Sequence, residues 1–321
     1  MRITTRMTNN MVISNLKQNL ERLQTLQNRM SSGKKVSRPS DDPIKTSQIL
    51  SLKTTLSNEE RYQSNMDEAV EIMDSSENAL NTVTYVLQRV RELIISGASS
   101  TLSQTDREAL GAEVDQLINE LVQSTNTSFS GQYVFGGQLT TDPPFQRSTY
   151  SYEVTDEDGQ PQTATREAVV YLGNDGNLEW AVGQGVTTAI NINGQDCFQV
   201  ATDENINKPV SKIFEVLFAT KEALNEGDVN KLSGECLQQL DESSSHILNM
   251  RATLGAKSNR LNIAKDRSFD AQIKMQNLLS KLEDIDLEKI VMEYKMQEYV
   301  YQAALATTAQ IIQPSLLNFL S

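Results

Sequence analysis

The chain has 321 residues, a length that predicts two or three domains. Of its residues 38% are apolar, against roughly 45–50% in ordinary globular domains, so a thick spherical core is not expected. Its net charge of −13 excludes a general nucleic-acid binder, because such a protein needs excess cations to displace phosphate counterions. The only cysteines, Cys197 and Cys236, and the single histidine, His246, exclude a disulfide framework and a zinc site of the usual ligand types.

A first helix is predicted over residues 1–32, which contain neither glycine nor proline. Apolar residues recur there at spacings of three and four, as they do on one face of a helix. They are Ile13, Leu16, Leu20, Leu23 and Met30. Gly33 follows directly and predicts the end of the helix.

The second helix is predicted to begin with Asp42 as its N-cap and Pro43 at its first position. Residues 44–96 again lack glycine and proline, and a helix of that length extends about 80 Å at about 1.5 Å per residue. Such a length predicts a coiled-coil rod. A third helix is predicted to open at Thr105, with Glu108 completing a capping box.

Strand patterns occupy the middle of the chain. Residues 168–172 and 178–182 predict a hairpin joined by a glycine-containing loop, and residues 191–200 suggest a second hairpin. Trp180 is the expected anchor of a small apolar core. Because that core is expected to be modest, deletion of residues 150–200 is expected to be mild.

Helical periodicity returns after the strands. Apolar residues recur every seven positions from Leu240 to Leu282, with Ser268 as the one polar exception. A last helical stripe is predicted to end at Pro314. Its members are Leu287, Val291, Tyr294, Tyr301, Leu305 and Ile312.

These elements predict a mainly α fold, in which the N- and C-terminal segments form a long antiparallel helical coiled-coil rod with a small inserted antiparallel β domain. Residues 1–42 and 284–321 are predicted to form a terminal helical pair that carries assembly. The rod is predicted at 43–140 and 206–283, and the β domain at 141–205.

The C-terminal segment is apolar around most of the predicted helix, so a pair of helices would leave part of that surface in water. Extensive exposed apolar area marks an interaction surface. The predicted subunit interface therefore combines the two terminal stripes, namely Ile13, Leu16, Leu20, Leu23, Met30, Leu287, Val291, Tyr294, Tyr301, Leu305 and Ile312, with Leu316 and Leu317.

Sequence motifs of enzymes and of secreted proteins are missing. No nucleophile elbow, phosphate-binding loop or dinucleotide fingerprint occurs, so we expect no enzyme, no cofactor and no catalytic, cofactor-binding or metal-ligating residues. The first thirty residues hold no apolar run of signal-peptide length, and the charge-free residues 302–321 are too polar for a membrane span. These signals alone predict a soluble cytoplasmic protein.

Several motifs resemble the bacterial flagellin family. Residues 29–36 (RMSSGKKV), followed by 40–43 (SDDP), resemble its N-terminal signature, and residues 313–320 (QPSLLNFL) resemble its C-terminus. The opening residues 1–7 (MRITTRM) and the segment from 131–137 (GQYVFGG) to DPPF resemble the hook-associated branch of this family. Asp-Asp-Pro replaces the usual Asp-Asp-Ala-Ala-Gly of flagellins.

The resemblance implies a structural adaptor that joins the hook of the flagellum to its filament. It also implies a homo-oligomeric ring, contacts with a neighbouring hook-associated protein and with flagellin, and a dedicated export chaperone. Export would proceed through the flagellar type III channel without a cleaved signal, which replaces the cytoplasmic expectation with an extracellular one. No nucleic acid and no membrane insertion are expected.

Three alternatives remain open at this point. A filament flagellin would share the terminal motifs but polymerise without limit. A cytoplasmic coiled-coil signalling protein would explain the heptads but not the apolar, charge-free terminus, and an enzyme with a novel site in the β domain has no supporting cluster of residues.

Overall fold

The computed structural model describes residues 5–99, 102–155, 161–203 and 207–312. The fold is mainly α, with long N- and C-terminal helices and a small antiparallel sheet domain, as predicted. Two compact units divide the chain. One, the terminal unit, comprises Met1–Glu60 and Asp270–Ser321, and the other, the central unit, comprises Arg61–Phe269.

Helices of very different length make up most of both units. They are α1 (Thr5–Ser32), α2 (Pro43–Gly97), α3 (Gln104–Thr125), α4 (Gly194–Cys197), α5 (Lys212–Glu226), α6 (Val229–Lys231), α7 (Leu237–Glu283) and α8 (Leu287–Ile312), with a π-helical turn at Leu232–Cys236. The strands are β1 (Ser128–Phe129), β2 (Gln132–Tyr133), β3 (Phe145–Thr155), β4 (Pro161–Tyr171), β5 (Glu179–Gly183), β6 (Val186–Ala189), β7 (Val200–Asp203) and β8 (Lys208–Ser211).

Local capping explains where the first helices start and stop. Gly33 has a φ of +69° and its N–H donates to the carbonyl of Arg29, so α1 ends where the glycine predicts. The Asp42 carboxylate accepts the N–H of Lys45 at 3.1 Å, which confirms the predicted start of α2.

The predicted start of α3 was wrong by two residues. Ser103, not Thr105, is the N-cap, and Asp106, not Glu108, returns the second bond of the capping box. Ser103 caps the helix because its hydroxyl accepts the N–H of Asp106 at 3.2 Å, and the Asp106 carboxylate accepts the N–H of Ser103 at 3.3 Å.

The apolar core of the central unit is one large cluster of buried side chains, beside a small second cluster of Ala168, Val170 and Val210. Four of the predicted heptad residues of α7 lie in the large cluster, and these are Leu240, Ile247, Leu254 and Leu261, each at most 2% exposed. Met275 and Leu282 belong to the terminal unit and are half-buried. Residues of α2, α3 and α5 pack in the same cluster, and so do residues of the strands. Helices and strands of this unit therefore share their stabilising contacts.

Aromatic side chains join the strands to the helices. Phe145 lies with its ring centroid 5.0 Å from that of Phe198 and 5.1 Å from that of Tyr171. The buried Tyr171 hydroxyl donates to the carbonyl of Phe135 at 2.9 Å, and burial raises the pKa of Tyr171 to about 12. Trp180 is only half-buried at the edge of this cluster, so its prediction as the anchor was wrong.

The sheet topology differs from the predicted hairpins. The main antiparallel sheet has the order β3-β4-β8-β7, with Phe145 opposite Tyr171 at one end of the β3–β4 pair. Residues 168–171 thus pair with β3, whereas β5 pairs with β6 across a turn that contains Gly185 at a φ of +72°. Asn193 caps α4 rather than forming a hairpin turn. The predicted hairpins were wrong because strands that are adjacent in sequence need not pair. Which strands pair depends on how their side chains pack in the core.

The buried residues of the predicted β domain also argue against a mild deletion. Val169, Tyr171, Ile190 and Phe198 are each at most 2% exposed in the shared core. Removing residues 150–200 would open a large cavity beside α2, α3 and α5, which the expected small, separate core did not anticipate.

In the terminal unit, a clasp joins the end of α1 to the junction of α7 and α8. We define the clasp as residues 33–35, 283–285 and Lys53. The N–H of Lys35 donates to the Glu283 carbonyl at 2.6 Å, and the N–H of Ile285 donates to the Gly33 carbonyl at 3.1 Å. The Glu283 carboxylate binds Lys34 at 2.5 Å and Lys53 at 2.8 Å.

Charge balance at the clasp shifts the acid strength of Glu283. Burial alone would raise the pKa of its carboxyl, but the hydrogen bonds and charges of Lys34 and Lys53 outweigh burial and hold this pKa below its ordinary value. The hydrogen bond to Glu283 in turn raises the pKa of Lys34. The ionised form is therefore the one that stabilises the folded terminal unit.

We predict that Glu283→Gln lowers the free energy of unfolding at pH 7 by about 1 kcal/mol. Because the folded pKa is depressed, this stabilisation is present above the unfolded pKa, near 4.5, and disappears as the pH falls through the lower folded pKa. Thermal unfolding followed by circular dichroism across this range measures the difference between variant and wild type. The exposed Glu60→Gln is the control, and an equal, pH-independent loss in both variants would refute the clasp.

A second prediction concerns the central core. Phe198→Ala should lower the free energy of unfolding by about 3–5 kcal/mol, because it removes a fully buried ring and leaves a cavity. Phe269 is 52% exposed, so Phe269→Ala should cost less than about 1 kcal/mol. Urea titration of both variants checks the contrast, and similar losses would show that Phe198 is not a core residue.

Candidate assembly surface

The terminal helices α1 and α8 pack along one another. Gln297 on α8 donates to the side-chain oxygen of Asn19 on α1 at 3.3 Å, which shows the faces that meet. Half-buried or buried residues continue from these two at spacings of three and four. This seam comprises Val12, Leu16, Asn19, Leu23, Leu26 and Met30 on α1, with Ile290, Tyr294, Gln297, Tyr301, Ala304 and Thr308 on α8.

The predicted interface residues fall into separate groups. Five of them lie at the seam within the chain, and these are Leu16, Leu23, Met30, Tyr294 and Tyr301. Five others are exposed, and these are Ile13, Leu20, Leu287, Val291 and Leu305. The side chain of Ile312, and Leu316 and Leu317, lie outside the described residues. The seam group is already packed against its own chain, so the exposed group is the part available to a partner.

A second apolar stripe on α8 was missed by the sequence analysis. It consists of Met292, Met296, Tyr299, Val300 and Ala303, and we call it the outer stripe. Its spacing of four, three, one and three residues is helical, and could have revealed it. At about 100° per residue, the outer stripe lies on the side of α8 opposite the seam.

The outer stripe is open to solvent. Tyr299 is 71% exposed and Met292 68%, and together the five side chains line a shallow apolar groove. Lys295 borders this groove and forms an ion pair with Glu298 at 2.8 Å, so its charge is directed to a neighbour on the same helix. A surface of this chemistry suits an apolar face of another helix.

The segment that resembles hook-associated proteins is structural. Val134 and Phe135 are buried in the central core. Gly137 has a φ of +70°, and a side chain there would collide with the carbonyl of Asn174, so only glycine fits. This motif holds the loop before β3 against the core and does not line an exposed site.

The two cysteines and the histidine, residue types that often act in catalysis or bind metals, have structural positions in this protein. Cys197 and Cys236 are buried free thiols, and burial raises the pKa of both. A ring nitrogen of His246 lies 2.8 Å from the carbonyl of Asp196, which ties α4 to α7. Across the described residues no group of three or more histidine, cysteine or acidic side chains could hold a metal ion. Nor does any helix in these ranges have the length and apolarity to cross a membrane.

Comparison with known proteins gives matches at both ends of the chain. Residues 3–140 match the bacterial flagellin N-terminal helical region, and residues 237–320 match the bacterial flagellin C-terminal helical region. Together these two matches cover well over half of the chain.

Individual relatives agree with the family matches. The chain is 25% identical to flagellar hook-associated protein 3 of Salmonella typhimurium, with 96% of each protein covered. It is also 25% identical to flagellin of Bacillus subtilis, with 89% of this chain and 88% of the relative covered. The crystal structure of flagellar hook-associated protein 3 from Legionella pneumophila shares the fold, with a TM-score of 0.59 at 20% identity over 73% of this chain and 98% of that one. The chain belongs to the bacterial flagellin family.

Proposed function

We propose that the protein is a structural adaptor of the bacterial flagellum that joins the hook to the filament. The observation that carries this proposal is the outer stripe of α8, an apolar surface that lies opposite the seam and is exposed. A relative covered over 96% of both chains is a hook-associated protein 3, which favours the adaptor over other roles within the family.

In this proposal the terminal unit carries assembly. The seam holds α1 and α8 together within one subunit, while the outer stripe and the exposed residues Ile13, Leu20 and Leu305 contact neighbouring molecules. Those neighbours are copies of the same chain in a ring, a second hook-associated protein on one side and flagellin on the other. Residues 1–42 and 284–321 act as the assembly region, 43–140 and 206–283 as a helical support, and 141–205 as a β domain.

The location and delivery of the protein follow from the same role. The subunit is exported through the flagellar type III channel without cleavage of a signal segment, and it ends outside the cell in the flagellum. An export chaperone covers the apolar C-terminal helix before export. The exposed side chains of α8 support this step, since such a surface would otherwise associate prematurely in the cytoplasm.

A filament flagellin is the second candidate, because the identity to Bacillus subtilis flagellin is also 25%. Deletion of the gene separates the two roles. Loss of an adaptor leaves hooks without filaments but releases flagellin monomers into the medium, whereas loss of the flagellin removes those monomers. Electron microscopy of the hooks and analysis of the medium for flagellin by mass spectrometry give the answer.

Charge placed at Leu305, an exposed predicted interface residue of α8 outside the outer stripe, tests the assignment of assembly to the terminal unit. We predict that Leu305→Asp reduces the fraction of cells with attached filaments by more than about tenfold, because a carboxylate buried without a partner costs several kcal/mol. Filaments are counted by electron microscopy in a deletion strain that expresses the variant.

Leu248→Asp is the matched control. Leu248 lies on α7 in the central unit and is 49% exposed, close to the 45% of Leu305, so the same change is made at similar exposure outside the terminal unit. It should leave filaments attached. Normal filaments with Leu305→Asp, or equal loss with both variants of unchanged helicity, would contradict the assignment of assembly to the terminal unit.

A further inference from the structure

Methionine is concentrated on the exposed faces of the terminal helices. Met7 and Met11 on α1 are each 62% exposed, and on α8 Met292 is 68% and Met296 65% exposed. In contrast, Met66 and Met73 are buried in the central core. Among the described methionines, no other is exposed to a comparable extent.

Met292 and Met296 on α8 are both accessible to solvent and close to each other. Met292 and Met296 are one helical turn apart, so their thioethers lie on one face and share the groove with Tyr299 and Val300. An oxidant in solution reaches both sulfur atoms in the free subunit. The same two side chains belong to the surface that we assign to subunit contact.

We propose that Met292 and Met296 are an oxidation site, at which hydrogen peroxide converts the thioethers to sulfoxides in the free subunit and thereby stops its assembly. The inference rests on the proposed function of the outer stripe. Only subunits with reduced Met292 and Met296 can then assemble. Oxidation occurs before the subunit contact forms, and the contact afterwards shields the sulfur atoms from peroxide.

The chemistry is a two-electron oxygen transfer. A sulfur lone pair attacks one peroxide oxygen, the O–O bond breaks, and the sulfur–oxygen bond of the sulfoxide forms. The second oxygen leaves as water after proton transfer, so the thioether is oxidised and the peroxide is reduced. No metal or cofactor is required.

The physical effect follows from the change in polarity. A thioether is apolar and packs in irregular contacts, whereas a sulfoxide carries a strong acceptor oxygen. Around the outer stripe the side chains offer few donors, so burial of two sulfoxides leaves acceptors without partners. The oxidised face therefore loses the contact that the reduced face makes.

A first measurement asks whether the pair is the oxidation site. Purified full-length protein is treated with hydrogen peroxide, and each methionine-containing peptide is followed by mass spectrometry. Met292 and Met296 should oxidise at least about tenfold faster than Met66 and Met73, because exposure controls access to the thioether. Equal rates would overturn the proposal.

A second measurement asks whether oxidation stops assembly. Hooks that lack filaments, taken from the deletion strain, are incubated with the purified protein and then with flagellin, and regained filaments are counted. Peroxide-treated wild type should restore about tenfold fewer filaments than untreated protein. Met292→Leu/Met296→Leu, which keeps apolar side chains of similar volume, should restore filaments with or without peroxide.

Each result has one meaning. Untreated wild type that restores no filaments would count against the proposed function, while the mass measurement would still decide whether the pair is oxidised first. Full restoration by oxidised wild type, or equal loss by the oxidised leucine variant, would overturn the oxidation proposal alone. Met292→Gln/Met296→Gln places polar groups at these positions without oxidant and should behave like oxidised wild type.

Discussion

The apolar surface of α8 is the physical constraint on which the proposed assembly role depends. The helix has one face in the seam with α1 and another, the outer stripe, on its opposite side, and a single partner helix covers only one of them. Burial of apolar area is the main favourable term in association as it is in folding. We therefore interpret the exposed face of α8 as the surface that carries the proposed assembly.

The clasp explains what the family signature does in the isolated chain. Gly33 permits the turn, Lys34 and Lys53 neutralise Glu283, and two backbone hydrogen bonds join the ends of α1 and α7. The geometry of this junction sets the separation between α1 and α8, because α1 ends there and α8 begins there. The motif by which the sequence resembles flagellins thus has a structural role that does not require contact with a partner.

In the central unit the strands are stabilised by a core that they share with helices. Phe135, Phe145 and Phe198 insert into the same cluster as the helices, so the strands draw their stability from helical residues far away in the chain. Charged networks such as Arg147 with Asp115 and Glu167, each at 2.7 Å, lie at the edge of this core. Helices and strands should consequently unfold together, which the expected small and separate β core did not foresee.

The sequence by itself determined the helical fold class, the caps at Gly33 and Asp42, and the buried heptads of α7, because capping and periodicity depend on residues within a few turns of each other. Its composition also predicted an interaction surface on the terminal helices, and that assignment stays a proposal. Only the tertiary structure decided that Leu16 and Tyr301 face the seam while Leu305 and Met296 face outwards, and that β4 pairs with β3. These outcomes depend on contacts between residues far apart in the chain, and a pattern of apolar residues shows that a face will be buried without showing which partner buries it.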